Sequence, residues 1–162
     1  MSSVLDKKKI LAVDDEPDIL DVLEIEISAA CTDCIIHKAT SYDAAIKLLQ
    51  SRNYDLVILD IMGVQGFDLL QIIVKNNMKA VMLTAHALTP ENLNRARDLG
   101  ARAFLPKTKI REIVPFLEDV FKYDFESGWI RVLAALKDVF VQIWGRRWDS
   151  IERDVGKKMP DA

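Results

Sequence analysis

The chain has 162 residues, 22 of them Lys or Arg and 25 Asp or Glu, for a formal net charge of -3. A pI near 5.4 gives no electrostatic reason to expect nucleic acid as a partner. No apolar run reaches bilayer length and MSSVLDKKKI lacks the apolar stretch of a secretory signal, so the expectation is a soluble cytoplasmic protein with one ordinary domain and an appendage.

In chain order, KILAV at Lys9–Val13 reads as a buried strand that ends on Asp14 and Asp15, followed by Glu16. Pro17 suits the first turn of a helix, and Ile19, Leu20, Leu23 and Ile27 give it an apolar face through Ala30. Cys31 and Cys34 form a C-x-x-C pair, a spacing shared by redox dithiols and half metal sites. They leave a helix rather than open one, which gives no reason for a depressed thiol pKa. Only His37 is near enough in sequence to add a ligand, so two reduced, uninvolved thiols are expected.

A second strand is expected over residues 34–39. Ser41 then caps a helix running to about Arg52, with Ala44, Ala45, Leu48 and Leu49 turned inward. The segment YDLVILD follows, residues 54–60. Its four consecutive apolar residues indicate a strand covered on both faces, and it stops on Asp60. Residues 66–76 carry Phe67, Leu69, Leu70, Ile73 and Val74 as a third helix, and KAVMLT is a fourth strand ending on Thr84. Thr89, Pro90 and Glu91 open a fourth helix that Gly100 closes. Residues 101–105 form a fifth strand, followed by Pro106 and Lys107. Five strand–helix alternations with short connections describe an α/β fold with a doubly wound parallel sheet.

In such a sheet the strand carboxyl ends share one rim, where ligands bind. Asp14, Asp15, Asp60, Thr84 and Lys107 all fall there. Three crowded carboxylates repel one another and call for a cation, and an all-oxygen set suits Mg²⁺. A carboxylate beside such an ion can attack a phosphoryl group, while an ammonium and a hydroxyl hold the remaining phosphoryl oxygens.

These residues, in this order, resemble the receiver domain of two-component response regulators over about residues 8–123. The resemblance implies a flavodoxin-like fold of five parallel strands. It implies Asp60 as phosphoacceptor, Asp15 as direct Mg²⁺ ligand, Asp14 as the carboxylate acting through metal-bound water, and the Met62 backbone carbonyl as a further ligand. Thr84 matches the switch hydroxyl, Lys107 the family lysine, and Phe104 the switch aromatic, which with Thr84 biases a surface made by the fourth helix, fifth strand and fifth helix. The implied donor is a phosphohistidine of a sensor histidine kinase or phosphotransfer protein, and the implied output is contact with a downstream protein.

Two departures from the family pattern stand out. Thr108 follows Lys107 where proline is usual, so a cis bond there is not expected, since a non-proline cis peptide costs about 2.5–4 kcal/mol. The loop IMGVQGF after Asp60 is about two residues shorter than usual and lacks its proline, which changes the rim without removing a backbone ligand. Met62 and His86 occupy the two rim positions that tune phosphate lifetime in the family. Met62 offers no hydrogen bond to an attacking water, which implies slow hydrolysis. His86 either makes that lifetime pH-dependent or is a loop histidine without a role.

The fifth helix is expected over residues 110–123, with Ile113, Phe116, Leu117, Val120 and Phe121 facing the sheet. Pro115 delays its regular start to about Arg111 or Glu112, or kinks it. Beyond residue 125, Trp129, Leu133, Leu136, Phe140 and Ile143 repeat at alternating steps of four and three, flanked by Ile130, Val132, Val139 and Trp144. Residues 126–153 therefore read as one long amphipathic helix. The expected organisation is a receiver over 1–125, an amphipathic extension over 126–155 and a disordered tail over 156–162. Some 40 residues are too few for a winged-helix output domain, which points to a single-domain regulator.

The stripe is too wide and aromatic to leave in water. A homodimer through this helix is the first reading, packing on its own receiver the second, and a membrane surface the third. Trp144, Arg146, Arg147 and Trp148 suit a membrane, but Asp138, Asp149, Glu152 and Asp154 oppose it. Two other functions compete with the switch. A Mg²⁺-dependent phosphatase of the haloacid dehalogenase type wants a second aspartate two residues after the nucleophile, where Met62 stands. An unphosphorylated interaction module with a vestigial site draws support only from the altered loop.

Overall fold

The computed structural model describes residues 3–158, with side chains described through Arg153. Five strands, β1 (Lys9–Val13), β2 (Ile35–Ala39), β3 (Leu56–Leu59), β4 (Lys79–Thr84) and β5 (Ala103–Pro106), form one sheet in the order β2-β1-β3-β4-β5. Every pairing is parallel. Residues 56–59 are buried on both faces, as their unbroken apolar run requires of a central strand. The connecting helices are α1 (Pro17–Ala30), α2 (Tyr42–Ser51), α3 (Gly66–Lys75), α4 (Pro90–Asp98) and α5 (Ile113–Lys122). This is the doubly wound architecture that the alternation predicts.

Local chemistry sets the helix starts. The Ser41 side chain accepts the Ala44 N–H and the Thr89 side chain the Asn92 N–H, both at 3.1 Å, while Pro17 and Pro90 occupy first-turn positions. The span expected to be the fifth helix divides. Residues 107–112 form a 3₁₀ turn, and α5 starts at Ile113, which puts Pro115 in its first turn where no N–H is required. Strand β5 starts two residues later than expected and includes Pro106. Among the described residues no peptide bond is cis, as the Lys107–Thr108 sequence leads one to expect.

Cys31 and Cys34 are joined in a disulfide, which corrects the expectation of two reduced thiols. The turn between α1 and β2 brings their Cα atoms to 5.7 Å, within bridging range. Both sulfurs are thereby removed as metal ligands.

The extension also differs from its expected form. It is two helices, α6 (Phe125–Trp144) and α7 (Arg147–Lys158), rather than one. Gly145 separates them at φ +58, ψ -129, a left-handed backbone that residues with a Cβ rarely adopt. The apolar stripe nevertheless continues in phase across the break. Trp129, Leu136, Phe140, Trp148 and Ile151 are buried, and Phe140 stacks on Trp144 with ring centroids 4.4 Å apart. Residues 156–158, expected to be disordered, are helical, and residues 159–162 lie outside the described residues.

Helix α6 packs on β5 and α5, and α7 on α4. The Trp129 Nε1–H donates to the Ala101 carbonyl at 2.9 Å and the Trp144 Nε1–H to the Leu88 carbonyl at 3.2 Å. The extension thus lies on its own receiver with most of the stripe turned toward it, but Ile130 and Ile143, expected on that face, stay 56% and 52% exposed. No helix among the described residues is long and apolar enough to cross a membrane.

Trp129 is fully buried and hydrogen-bonded to the sheet's last connection. Trp129→Ala is expected to lower unfolding free energy by about 3–5 kcal/mol in urea titrations. A loss below about 1 kcal/mol would mean that α6 docks only loosely.

Candidate functional site

Two ladder bonds place the first two carboxylates side by side. The Asp14 N–H donates to the Ala39 carbonyl at 3.1 Å and the Asp60 N–H to the Val13 carbonyl at 3.0 Å, so Asp14 and Asp60 leave adjacent strands at the same level. Thr84 ends β4 and Lys107 follows β5 on the same rim, where Thr84 is paired with Pro106. Their apolar strands bury Asp14, Asp60 and Thr84 almost completely, at 2%, 3% and 0% exposure.

Each buried carboxylate is held at both oxygens. Asp14 Oδ1 accepts the Glu16 N–H at 2.9 Å and Asp60 Oδ1 accepts the Ile61 N–H at 2.8 Å. Their Oδ2 atoms both face the Lys107 ammonium, at 2.8 and 3.0 Å respectively. Glu16 adds a third carboxylate to Lys107 at 3.2 Å. Burial pushes the Asp14 carboxyl above the usual carboxylate range and the nearby Asp60 charge adds to this, against the pull of Lys107 and the Glu16 N–H. Burial works against the charged form of Lys107, but bonds to Asp14 and Asp60 outweigh it and raise the lysine above its ordinary value.

Asp15 stands exposed beside this pair, and oxygens of Asp14, Asp15 and Asp60 lie within 4.8 Å of one another. That span is close to the width of the Mg²⁺ shell, about twice a 2.1 Å metal–oxygen distance, and hard carboxylate oxygens are what Mg²⁺ prefers. The donor set therefore fits the ion that the sequence implies.

The short loop after Asp60 supplies features that sequence reading missed. Gly63 has φ +83, and a Cβ there would lie 2.3 Å from Asp15 Oδ2. A Cβ on Gly66 would lie 2.0 Å from the Asp60 carbonyl oxygen. Gln65 between them is itself left-handed at φ 53. The chain turns into α3 by passing against the acidic rim, and glycine is favoured by the left-handed backbone at 63 and by the close backbone approach at 66. The signal was present as two glycines in IMGVQGF, but the partner of Gly63 is distant in sequence and that of Gly66 depends on how the loop folds back on Asp60. Glu16 was visible as the third acid after β1, though its ion pair with Lys107 was not.

Of the other expected site residues, the Thr84 hydroxyl oxygen accepts the Ala87 N–H at 3.3 Å, and Phe104 is fully buried on β5 opposite Met82. Met62 is 54% exposed and His86 is exposed, on the loops after Asp60 and Thr84. The structure thus brings Asp14, Asp15, Asp60 and Lys107 into one cluster, puts Thr84 on the same rim, and leaves Met62 and His86 in solvent.

Asp14 carries a sign-definite consequence for stability. Its folded pKa lies above the unfolded value, so ionising it costs stability at neutral pH, and that cost disappears as the pH falls below about 4. Asp14→Asn is therefore expected to raise unfolding free energy by about 1 kcal/mol at pH 7, with the gain shrinking toward pH 4. Denaturant titrations across that range check it, and a variant less stable at pH 7 contradicts it.

The model of the response regulator receiver domain family matches residues 10–117. A comparison with curated proteins finds no match. Among solved structures, the NtrX receiver domain from Brucella abortus is 30% identical, with 71% of this chain and 99% of that one covered at a TM-score of 0.62. The Thermotoga maritima response regulator TrrA, solved in complex with Mg²⁺ and a beryllium fluoride, is 33% identical over 71% of this chain and 97% of its own, with a TM-score of 0.58. The beryllofluoride-activated DrrB receiver domain, at 16% identity, shares the fold, covering 72% of this chain and 98% of its own at a TM-score of 0.62. With two thirds of its length matched by the family model and its acidic rim in place, this chain belongs to the receiver domains of two-component response regulators.

Proposed function

We propose that the protein is a phosphorylation-dependent switch that accepts a phosphoryl group on Asp60 from a phosphohistidine of a sensor histidine kinase or phosphotransfer protein. The observation that carries this reading is the buried Asp60 carboxylate, 3.0 Å from the Lys107 ammonium and within the three-aspartate cluster. In this reading Asp14, Asp15 and Asp60, with the Met62 carbonyl, hold Mg²⁺. When bound, the ion neutralises phosphoryl oxygens and so permits a carboxylate to approach them.

Asp60 acts as nucleophile: one carboxylate oxygen forms the new O–P bond while the P–N bond to the donor imidazole breaks, and the imidazole leaves with that electron pair. The Lys107 ammonium transfers its contact from the carboxylate to a phosphoryl oxygen, and the Thr84 hydroxyl donates to another. Phe104 responds to that movement as the second element of the switch. Met62 lends no hydrogen bond to an attacking water, and His86 tunes the lifetime from the opposite loop. The chain modifies itself and does not turn over a separate substrate. We place the receiver in residues 1–125 and the helical extension in 126–155, in the cytoplasm, with signalling through contact with a downstream protein.

Incubation with a small phosphodonor and Mg²⁺, followed by intact-mass measurement, is expected to add one phosphoryl group to the wild type and none to Asp60→Asn. Decay of that mass between about pH 6 and pH 8 is expected to depend on pH in the wild type and less so in His86→Ala. The absence of any mass gain would favour a vestigial interaction module, and an unchanged gain in Asp60→Asn would displace Asp60 as acceptor.

A further inference from the structure

We propose that the C-terminal pair α6–α7 is a lid whose distal half is fastened to the β4–α4 loop, so that phosphoryl transfer to Asp60 loosens it. The proposal rests on the phosphoacceptor reading above and extends it to the regulation of this chain's own extension.

The connection can be followed residue by residue. Thr84 is completely buried, and its hydroxyl oxygen accepts the Ala87 N–H at 3.3 Å. The next residue, Leu88, gives its carbonyl to the Trp144 Nε1–H at 3.2 Å. Glu91, in the first turn of α4, pairs with Arg147 at the start of α7. The loop that anchors the lid is therefore the loop that the Thr84 hydroxyl holds in place. In this proposal that hydroxyl turns toward β3 to donate to a phosphoryl oxygen on Asp60 while its oxygen keeps the Ala87 N–H. The Ala87 carbonyl also accepts the Thr89 N–H and the Asn92 side-chain amide at 3.0 Å, so residues 85–89 move with the hydroxyl as one piece and carry the Leu88 carbonyl away from Trp144.

Two features make the distal half the part that yields. Trp148 is 2% exposed, yet its Nε1–H has no hydrogen-bond partner among the described residues, so the docked arrangement carries an unmet donor. The proximal half is tied elsewhere, with Trp129 bonded to the Ala101 carbonyl, Arg131 paired with Asp119 of α5 at 3.0 Å, and the same guanidinium lying over the Tyr123 ring. The lid is thus hinged on α5 and the connection leading into β5 and latched on the loop after β4. Opening it exposes Phe140, Trp144, Trp148 and Ile151, an aromatic surface that serves a protein partner. A ligand favouring the released loop must be favoured in turn by whatever weakens the latch.

The test uses the full-length protein and beryllofluoride with Mg²⁺, its binding read by fluorine NMR independently of the lid. Bound beryllofluoride is expected to speed amide hydrogen exchange in residues 139–158 about tenfold while leaving 126–133 unchanged, a size ordinary for coupling between sites. Trp144→Phe, which removes the Leu88 bond, and Arg147→Gln, an exposed change that removes the Glu91 pair, are expected to bind beryllofluoride more tightly by a comparable factor. Binding with unchanged exchange, and unchanged affinity in both variants, overturns the lid while leaving the phosphoacceptor reading intact. No binding to the wild type overturns that reading, and the lid falls with it.

Discussion

One ammonium group holds the rim together. Lys107 reaches Asp14 and Asp60 within 3.0 Å, and both carboxylates are nearly sealed from water. Without it two like charges would face one another at low dielectric, where repulsion is strong and solvent cannot relieve it. The raised lysine and the raised Asp14 carboxyl express one compromise: the cation is stabilised by its two partners, while Asp14 still bears an excess of desolvation. Such a cluster is compact because the ladder bonds from Asp14 and Asp60 force it, and its excess negative charge is what makes a second cation welcome. Asp15, exposed and unburdened by that lysine contact, offers that cation a way in.

The rest of the molecule can be understood as support for this arrangement. The all-parallel sheet delivers five strand ends to one side, and apolar residues on both faces of β3 keep Asp60 rigidly placed. The loop after Asp60 runs left-handed at Gly63 beside Asp15 and so near the Asp60 carbonyl at Gly66 that both positions favour glycine. On the far side of Thr84, the β4–α4 loop joins the rim to the extension through Leu88 and Glu91. Local geometry at the acidic rim and packing of the C-terminal helices therefore meet at one short segment.

Much of this was legible in the sequence because polar residues terminate apolar runs abruptly. LVILD and KILAVDD each state both a buried strand and the carboxylate at its end, and KAVMLT states a buried strand and a terminal hydroxyl. Side-chain caps at Ser41 and Thr89 were equally plain, since their chemistry is local. What was not legible depends on partners far along the chain. Periodicity in residues 126–153 reports that a face is buried but not against what, so it could not separate a dimer from docking on the receiver. A single glycine costs only about 1 kcal/mol within a helix, so Gly145 gave little warning of the break while the stripe continued in phase through Trp148 and Ile151. The Cys31–Cys34 bridge follows from how a helix turns into a strand, which spacing alone leaves open. The role of Gly63 likewise comes from close approach to Asp15 beyond another strand, whereas that of Gly66 comes from how tightly the loop folds back on the Asp60 backbone.

The central claim is that a lysine-clamped set of carboxylates at this rim is a built cation site. Thermal unfolding of the full-length protein across a Mg²⁺ titration tests it most directly, because an ion that binds only the folded state raises the midpoint by mass action. The account requires a saturating rise in the wild type that is strongly reduced in Asp15→Asn, whose side chain lies outside the buried clamp. No rise, or an equal rise in both proteins, would contradict it.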